Sequence, residues 1–315
     1  MQVSVVCWSR ANDKNLLLWF LKSLEAQTFT DFDVNIVCDR RFTKEEESDF
    51  SEFFNKQELR VLQSTRFLTH NNCNFDPAHV WWASYVRNFW LQQASGEFIL
   101  LLDDDDRIAP TFLEQCLDKR SIKTKETKVE CVILPSLYFR DSEHIQNQWF
   151  SRFNYLQSRP ELYLLHGKQE SQVQMFSGNW IFGKAVTLRK KTYDEQIARI
   201  SEDLDYTLSL YEGWVQLRVF SDLKVQHFER EKTILEQARI WSQAQARQKS
   251  RNRFLFTKKH GTKHNLFQFY MCWLPWCIIW LSIKAIRFWW SAKRKIIKGI
   301  FEWVKEWRTL VSEKK

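Results

Sequence analysis

The sequence predicts an α/β protein built on a mainly parallel β-sheet flanked by helices, followed by a basic helical region. Three observations predict it. Short apolar runs rich in β-branched residues alternate with helix-length stretches, and one run, Phe98-Ile99-Leu100-Leu101-Leu102, is apolar at every position, as a strand buried on both faces requires. The third is charge: residues 1–238 carry 29 Lys and Arg against 35 Asp and Glu, whereas residues 239–315 carry 18 against 3. The formal net charge of +9 therefore belongs to the tail, and a boundary near residue 238 divides an α/β domain from a basic, Trp-rich region.

The elements follow in order. Val3-Ser4-Val5-Val6-Cys7 reads as a first strand, with Asn12 and Asp13 as caps for a helix through Leu16 to Leu24. Val34 to Cys38 is a second strand, followed by a charged helical stretch, and Leu59 to Leu62 is expected as a short third strand. Pro77 opens a helix reaching Ala94, which Ser95-Gly96 stops before the Phe98–Leu102 strand. Further on, Gly178 precedes an aromatic strand, Ser201 caps a helix carrying Leu204, Leu208 and Tyr211, and Leu223 to Val225 leads into His227.

At 315 residues the chain can bury a sizeable core. Five Pro, seven Gly and no low-complexity tract argue against disordered, collagen-like or repeat architectures. Seven Cys, with no C-x-x-C pair, argue against a disulfide framework or a zinc ribbon, and the opening residues lack the pattern of a secretory signal. A reducing, cytosol-facing setting is the expectation.

The Phe98–Leu102 strand runs into Asp103-Asp104-Asp105-Asp106. In open α/β sheets ligands bind beyond the carboxyl ends of strands, so the four acids stand where chemistry is expected. Two carboxylates about 4 Å apart repel by roughly 4 kcal/mol at an effective dielectric of 20, a cost that a divalent cation removes. Oxygen ligands favour Mg²⁺ or Mn²⁺. The alternative is a solvated loop whose last acids serve the dipole of a helix starting near Pro110. Glu202-Asp203 allows two readings as well: helix-start acids, or a general base within reach of an acceptor hydroxyl.

These residues, in this order, resemble an inverting nucleotide-sugar glycosyltransferase of the family 2 type, with the GT-A fold, over roughly residues 1–232. The strongest match is Arg87-Asn88 followed by Ala94-Ser95-Gly96-Glu97-Phe98 through Asp106, which is similar to the family's "RN…ASGE-aromatic-I-x-x-L-D-x-D-D" segment. Ala26-Gln27-Thr28-Phe29-Thr30-Asp31-Phe32 is similar to the turn after the family's first helix. The resemblance implies that Asp39, Arg87, Asp103 and Asp104 serve the donor nucleotide, Asp39 being the one acid where the family has a pair. It also implies that Asp105, Asp103 and His227 hold Mn²⁺ or Mg²⁺, with Asp106 helping indirectly. Asp203, with Glu202 beside it, would be the catalytic base, and Gly178-Asn179-Trp180 would line the acceptor side. The implied partners are a nucleotide-sugar donor, UDP-sugars favoured, and a glycan or lipid-linked acceptor. The competing classes are a non-catalytic sugar-nucleotide or glycan-binding module acting as a membrane-bound assembly partner, and a nucleotidyltransferase. The latter would show a Gly-rich basic loop where Ser9-Arg10-Ala11-Asn12-Asp13 has no glycine.

In the tail, residues 266–283 form an uncharged stretch of 18. At about 1.5 Å per residue this spans about 27 Å, short for a bilayer. Basic residues flank it almost equally, +8 before and +7 after, so neither orientation satisfies the positive-inside tendency, and a re-entrant or in-plane placement fits better. Beyond it, Ile286, Trp290, Ile297, Phe301, Val304, Trp307 and Val311 mark an apolar face opposed by Lys and Arg, as in a helix lying on anionic lipid, the alternative being a helix packed on its own domain or on a partner. The expected location is the cytoplasmic face of a membrane, with no nucleic-acid partner, because no nucleic-acid motif accompanies the charge.

Overall fold

Beside each strand of the first half of the sheet lies a neighbour that the apolar pattern demands. The structure, a computed structural model, describes residues 1–9, 14–38, 43–68, 82–119, 131–139, 150–154, 159–162, 170–176, 180–197, 202–228, 255–256, 258–261 and 279. Strand β1 (Val3–Ser9) lies between β2 (Phe32–Cys38) and β4 (Phe98–Asp103), parallel to both, with Val5 opposite Val34 and Leu100. Strand β3 (Thr65–Leu68) adds to β2, again in parallel. Val3, Val5, Cys7 and all of Phe98 to Leu102 are buried, so β1 and β4 are covered on both faces.

Beyond β4 the sheet becomes mixed. Strand β11 (Ile181–Lys184) pairs antiparallel with both β4 and β6 (Cys131–Phe139). Strand β12 (Gln216–His227) then runs parallel to β6 and carries β5 (Asp106–Ile108) and β9 (Glu170–Val173) antiparallel. The path is β3-β2-β1-β4-β11-β6-β12-β5, with β9 also on β12. A smaller antiparallel sheet has β10 (Met175–Phe176), β7 (Phe150–Asn154) and β8 (Arg159–Leu162) in that order. The longer registers are the parallel ones, so the expectation of a mainly parallel sheet holds, with an antiparallel strand inserted at its centre.

Helix α1 (Lys14–Glu25) buries Leu17, Leu18, Phe20, Leu21 and Leu24, one apolar stripe at helical spacing. Helix α2 (Lys44–Asn55) starts with a capping box in which the Thr43 side chain accepts from the Glu46 N–H and the Glu46 side chain accepts from the Thr43 N–H. Helices α3 (Trp82–Gln93), α4 (Phe112–Lys119), α5 (Ala185–Leu188) and α6 (Glu202–Glu212) complete the described helices of this unit.

One expected strand is misplaced by the sequence reading. Residues Arg60–Ser64 form a 3₁₀ turn, and the third strand begins after it, at Thr65. The Glu25 carboxylate accepts from Arg60 Nε and the Val61 N–H, both at 2.7 Å, and the Leu62 N–H donates to the Leu59 carbonyl, so the backbone closes on itself before reaching the sheet. The expected Leu223–Val225 strand is real but is part of a twelve-residue strand.

Two motifs singled out by the sequence turn out to be joints. Asp33, buried, accepts from Ser4 Oγ (2.6 Å), Ser95 Oγ (3.2 Å), Asn35 Nδ2 (3.3 Å) and Arg66 (3.1 Å), while the Gly96 N–H donates to Ser4 Oγ (2.8 Å). Gln27 donates to the Ala109 carbonyl (2.8 Å) and accepts from the Leu113 N–H (3.2 Å), and the Thr28 N–H donates to the Pro110 carbonyl (2.8 Å). The turn after α1 thus holds the segment between β5 and α4.

The chain packs as two units, Met1–Glu231 and Lys232–Lys315. Within the second, Phe256 and His260 are buried with ring centroids 4.8 Å apart. No helix among the described residues is long and apolar enough to cross a membrane.

Candidate functional site

The four acids at the end of β4 occupy four different environments because the chain turns sharply between β4 and β5. Asp103 ends β4 opposite Trp8, and the Asp104 N–H donates to the Trp8 carbonyl (3.2 Å). Asp104 Oδ2 accepts from Ser9 Oγ at 2.6 Å, which ties the turn to β1. Asp105 is partly exposed, and its carbonyl accepts from the Phe228 N–H (2.9 Å). Asp106 opens β5 opposite His227 and is fully buried.

Asp106 is held by a backbone N–H, an indole N–H and an imidazole. Its Oδ2 accepts from the Asp103 N–H (2.6 Å) and from Trp180 Nε1 (2.5 Å), and its Oδ1 lies 2.9 Å from His227 Nδ1. Asp105 Oδ1 lies 3.3 Å from the same nitrogen. The Trp180 ring meets the His227 ring edge-on at 5.4 Å between centroids. Asp105, Asp106 and His227 each offer a ligand atom, and these atoms lie within 4.8 Å of one another.

The electrostatics of the cluster favour a cation. Burial pushes the Asp105 carboxyl well above the ordinary range, and repulsion from Asp106, Asp103 and Asp104 adds to it against the pull of His227. Burial likewise raises Asp106. Burial opposes charge on His227, but its hydrogen bond to Asp106 and the charges of Asp106 and Asp105 outweigh that and raise its pKa. A divalent ion bound here would replace these protons, and a set of two carboxylates and one imidazole could hold Mn²⁺ or Mg²⁺. The donor set fits the cofactor that the sequence implied, with one change of membership. Asp106 stands in the cluster and Asp103 does not.

The second acidic segment is the first turn of α6. Glu202 is buried and accepts from Arg87 of α3 at 2.8 Å. Asp203 Oδ1 accepts from the Leu204 N–H at 2.8 Å. Burial works against the Arg87 charge, yet the attraction of Glu202, followed by Tyr193, Asp103 and Asp203, more than offsets it and keeps the guanidinium protonated. Arg87 therefore stands within electrostatic reach of both acidic segments, which are 100 residues apart in sequence. A small apolar pocket walled by Val6, Trp8, Val37, Trp90 and Leu101 lies beside Arg87 and Asp103.

Of the residues named from sequence, Asp39, Gly178 and Asn179 lie outside the described residues, as do the helix-start residues Asn12, Asp13, Pro77 and Ser201 and, apart from Ile279, the tail stretch 266–283 and the apolar face beyond it. Trp180 is buried with its indole N–H on Asp106, and Arg87 is paired with Glu202. The sequence reading gave Asp106 only an indirect part and gave Trp180 and Ser9 none in holding the acidic turn. A fourth consecutive Asp was the available signal, but the register that sets it against His227 leaves no trace in the sequence.

No family model matches the chain, and no curated protein matches it in sequence. Solved structures do. S. aureus TarS 1-349 in complex with UDP-GlcNAc is 18% identical, with a TM-score of 0.52, over 86% of this chain and 72% of that one. GalNAc-T7 with UDP, GalNAc and Mn²⁺ is 12% identical, with a TM-score of 0.55, over 76% of this chain and 48% of that one. Against a longer TarS structure the chain spans 37% of that protein's length. The likeness establishes the fold as GT-A type, the fold that the sequence motifs resemble.

Proposed function

We propose that the chain is a metal-dependent inverting glycosyltransferase. It moves a sugar from a nucleotide-sugar donor, preferably a UDP-sugar, to a membrane-associated acceptor, lipid-linked or part of a surface glycan. The observation that carries this reading is the Asp105–Asp106–His227 group at the end of the sheet of a GT-A fold, with Arg87 under the influence of both Asp103 at that end and Asp203 of α6. The UDP preference is supported by the UDP and UDP-GlcNAc of the TarS structures and the UDP of GalNAc-T7.

Asp105, Asp106 and His227 would hold the ion, with the Trp180 indole and the Asp103 N–H fixing Asp106 in the group. A divalent ion, when bound, supplies positive charge that stabilises the departing diphosphate. Asp103, beside the apolar pocket, is assigned to the donor's ribose, and Asp104, fixed by Ser9, keeps the turn in place. Asp203 takes the proton of the acceptor hydroxyl as that oxygen attacks the anomeric carbon from the face opposite the leaving group. One displacement inverts the carbon and needs no carboxylate nucleophile. The basic region 239–315 is assigned to an anionic membrane surface on the cytoplasmic side, where it would bring the acceptor to the domain.

The test is calorimetric titration of UDP, GDP, CDP and TDP with and without Mn²⁺, together with a transfer assay. Metal-dependent binding of one nucleotide, weakened about tenfold or more by Asp105→Asn, is expected. Asp203→Asn should lower transfer by about 1,000-fold and leave donor binding unchanged. Near-wild-type transfer by Asp203→Asn would move the base elsewhere. No nucleotide binding under any condition would sink the enzyme reading in favour of a non-catalytic module.

A further inference from the structure

Arg87 and Asn88 sit side by side on α3; Arg87 reaches the first turn of α6, which carries the candidate base, and Asn88 reaches Tyr193 and Glu195 ahead of it. The Arg87–Glu202 ion pair joins side chains only 12% and 8% exposed, so it is an interior bond between helices 115 residues apart. Asn88 Nδ2 donates to the Tyr193 carbonyl (2.8 Å) and to Glu195 Oε1 (3.1 Å), and Asn88 Oδ1 accepts from the Tyr193 N–H (2.7 Å). Arg189 returns the link by donating to the Leu91 and Ala94 carbonyls at the end of α3. The Tyr193 ring lies 5.4 Å from the Arg87 guanidinium carbon and stacks on Tyr206 of α6 at 4.0 Å.

The Arg87–Glu202 pair ties α6 directly to α3, the Asn88 and Arg189 bonds hold the segment 189–195 on α3, and the Tyr193–Tyr206 stack passes that hold to α6; Glu202 is the residue immediately before Asp203. In a helix successive side chains are set about 100° apart, so anchoring Glu202 fixes the rotation of the first turn and with it the direction of Asp203. An Arg–carboxylate pair is well suited to this because the planar guanidinium fixes orientation, which a Lys ammonium does not.

We infer that Arg87 is a positioning residue for the candidate base: it holds Glu202, thereby sets Asp203, and does not bind the donor nucleotide. This rests on the glycosyltransferase reading for its catalytic consequence and on the helix geometry alone for its structural one. Glu202 is then the anchor of α6, with no proton-transfer role of its own.

The experiment compares Arg87→Met, Arg87→Lys, Glu202→Gln and the Arg87→Met/Glu202→Gln double variant in the full chain. Three quantities are read: UDP affinity with Mn²⁺, the rate of UDP release from UDP-GlcNAc, and hydrogen exchange of the α6 peptide, residues 202–212. For Arg87→Met the rate at saturating donor should fall about 100-fold, as expected when a reacting group is misplaced by about 1 Å. UDP affinity should stay within about threefold, and α6 exchange should rise about tenfold, a change in local opening free energy of one tenfold factor. The double variant should be no slower than Arg87→Met, and Arg87→Lys should restore only part of the rate. Loss of UDP affinity with unchanged α6 exchange would overturn the inference and make Arg87 a nucleotide ligand; so would a wild-type rate. If the wild-type protein releases no UDP, the transferase reading fails, and α6 exchange in the variants still decides whether Arg87 holds the helix. Should Arg87→Met fail to fold, Arg87→Lys and Glu202→Gln carry the same comparison.

Discussion

Gly96 shows how far a single residue can be dictated by its neighbours. A Cβ there would lie 2.6 Å from the Ser4 nitrogen, 2.8 Å from the Val3 carbonyl carbon and 2.9 Å from the Phe98 carbonyl oxygen, all of them backbone atoms that cannot swing away. Gly96→Ala should therefore destabilise the protein by about 3 kcal/mol, measured by urea denaturation, with β1 and β4 pushed apart. A loss below about 0.5 kcal/mol, typical of surface sites, would mean the joint yields. The same scale governs pH. Burial first, then neighbouring acids, raise Asp105 to about 8 and burial raises Asp106 to about 6, while Asp106, acting against burial, raises His227 to about 9. All three shifts are upward, so without metal the folded state binds more protons than the unfolded chain across this range. Stability then falls as pH rises. The melting temperature in a chelator should decrease from pH 6 to pH 9, and Mn²⁺ should raise it most at the alkaline end, where it no longer displaces protons. A melting temperature that climbs with pH in the chelator would contradict the arrangement of the cluster.

At the scale of elements, what was legible in the sequence was local. The unbroken apolar run of β4 and the stripe of α1 both appear where the pattern put them, because each depends only on which faces are buried. What was illegible was pairing. The sequence contains the four acids and His227, but only the antiparallel register of β5 on β12 sets Asp106 opposite His227, and only β11 brings Trp180 to Asp106. The Arg87–Glu202 ion pair is illegible for the same reason: its partners lie 115 residues apart, so the pair has no local signature. Local rules can also be broken visibly. Helix α6 ends with Trp214 in the left-handed conformation, φ 64°, directly after Gly213, while the Val215 N–H donates to the Leu210 carbonyl. Glycine suits such a position and a bulky residue is strained there. Trp214 is also 91% exposed, so its ring contributes little packing. Trp214→Gly should stabilise the domain by about 1 kcal/mol, read as a higher urea midpoint with unchanged slope. A destabilised variant would show that the ring is held by something other than this domain's core.

For the whole molecule, the division of charge is the feature that a fold alone does not explain. The unit that carries the acids is net negative, and the net positive charge lies after residue 238, together with seven of the sixteen Trp in the last fifty residues. Fifteen surplus positive charges after residue 238 suit an anionic partner surface, and an anionic lipid surface attracts each nearby Lys or Arg by about 1 kcal/mol. Interfacial Trp adds an apolar contribution that salt does not screen. The two contributions separate experimentally. Removing residues 266–315 deletes the uncharged stretch and the amphipathic segment but keeps the eight basic residues of 239–264. The truncated protein should move from the membrane to the soluble fraction, and any residual binding to anionic vesicles should vanish as salt rises, because only the screened part is left. The full-length chain should instead keep much of its binding in high salt. Vesicles of neutral lipid supply the control: the full-length chain should bind them more weakly than anionic ones. Equal membrane association of the truncated and full-length proteins would remove the tail from the anchoring role, and with it the reason for assigning a membrane-associated acceptor.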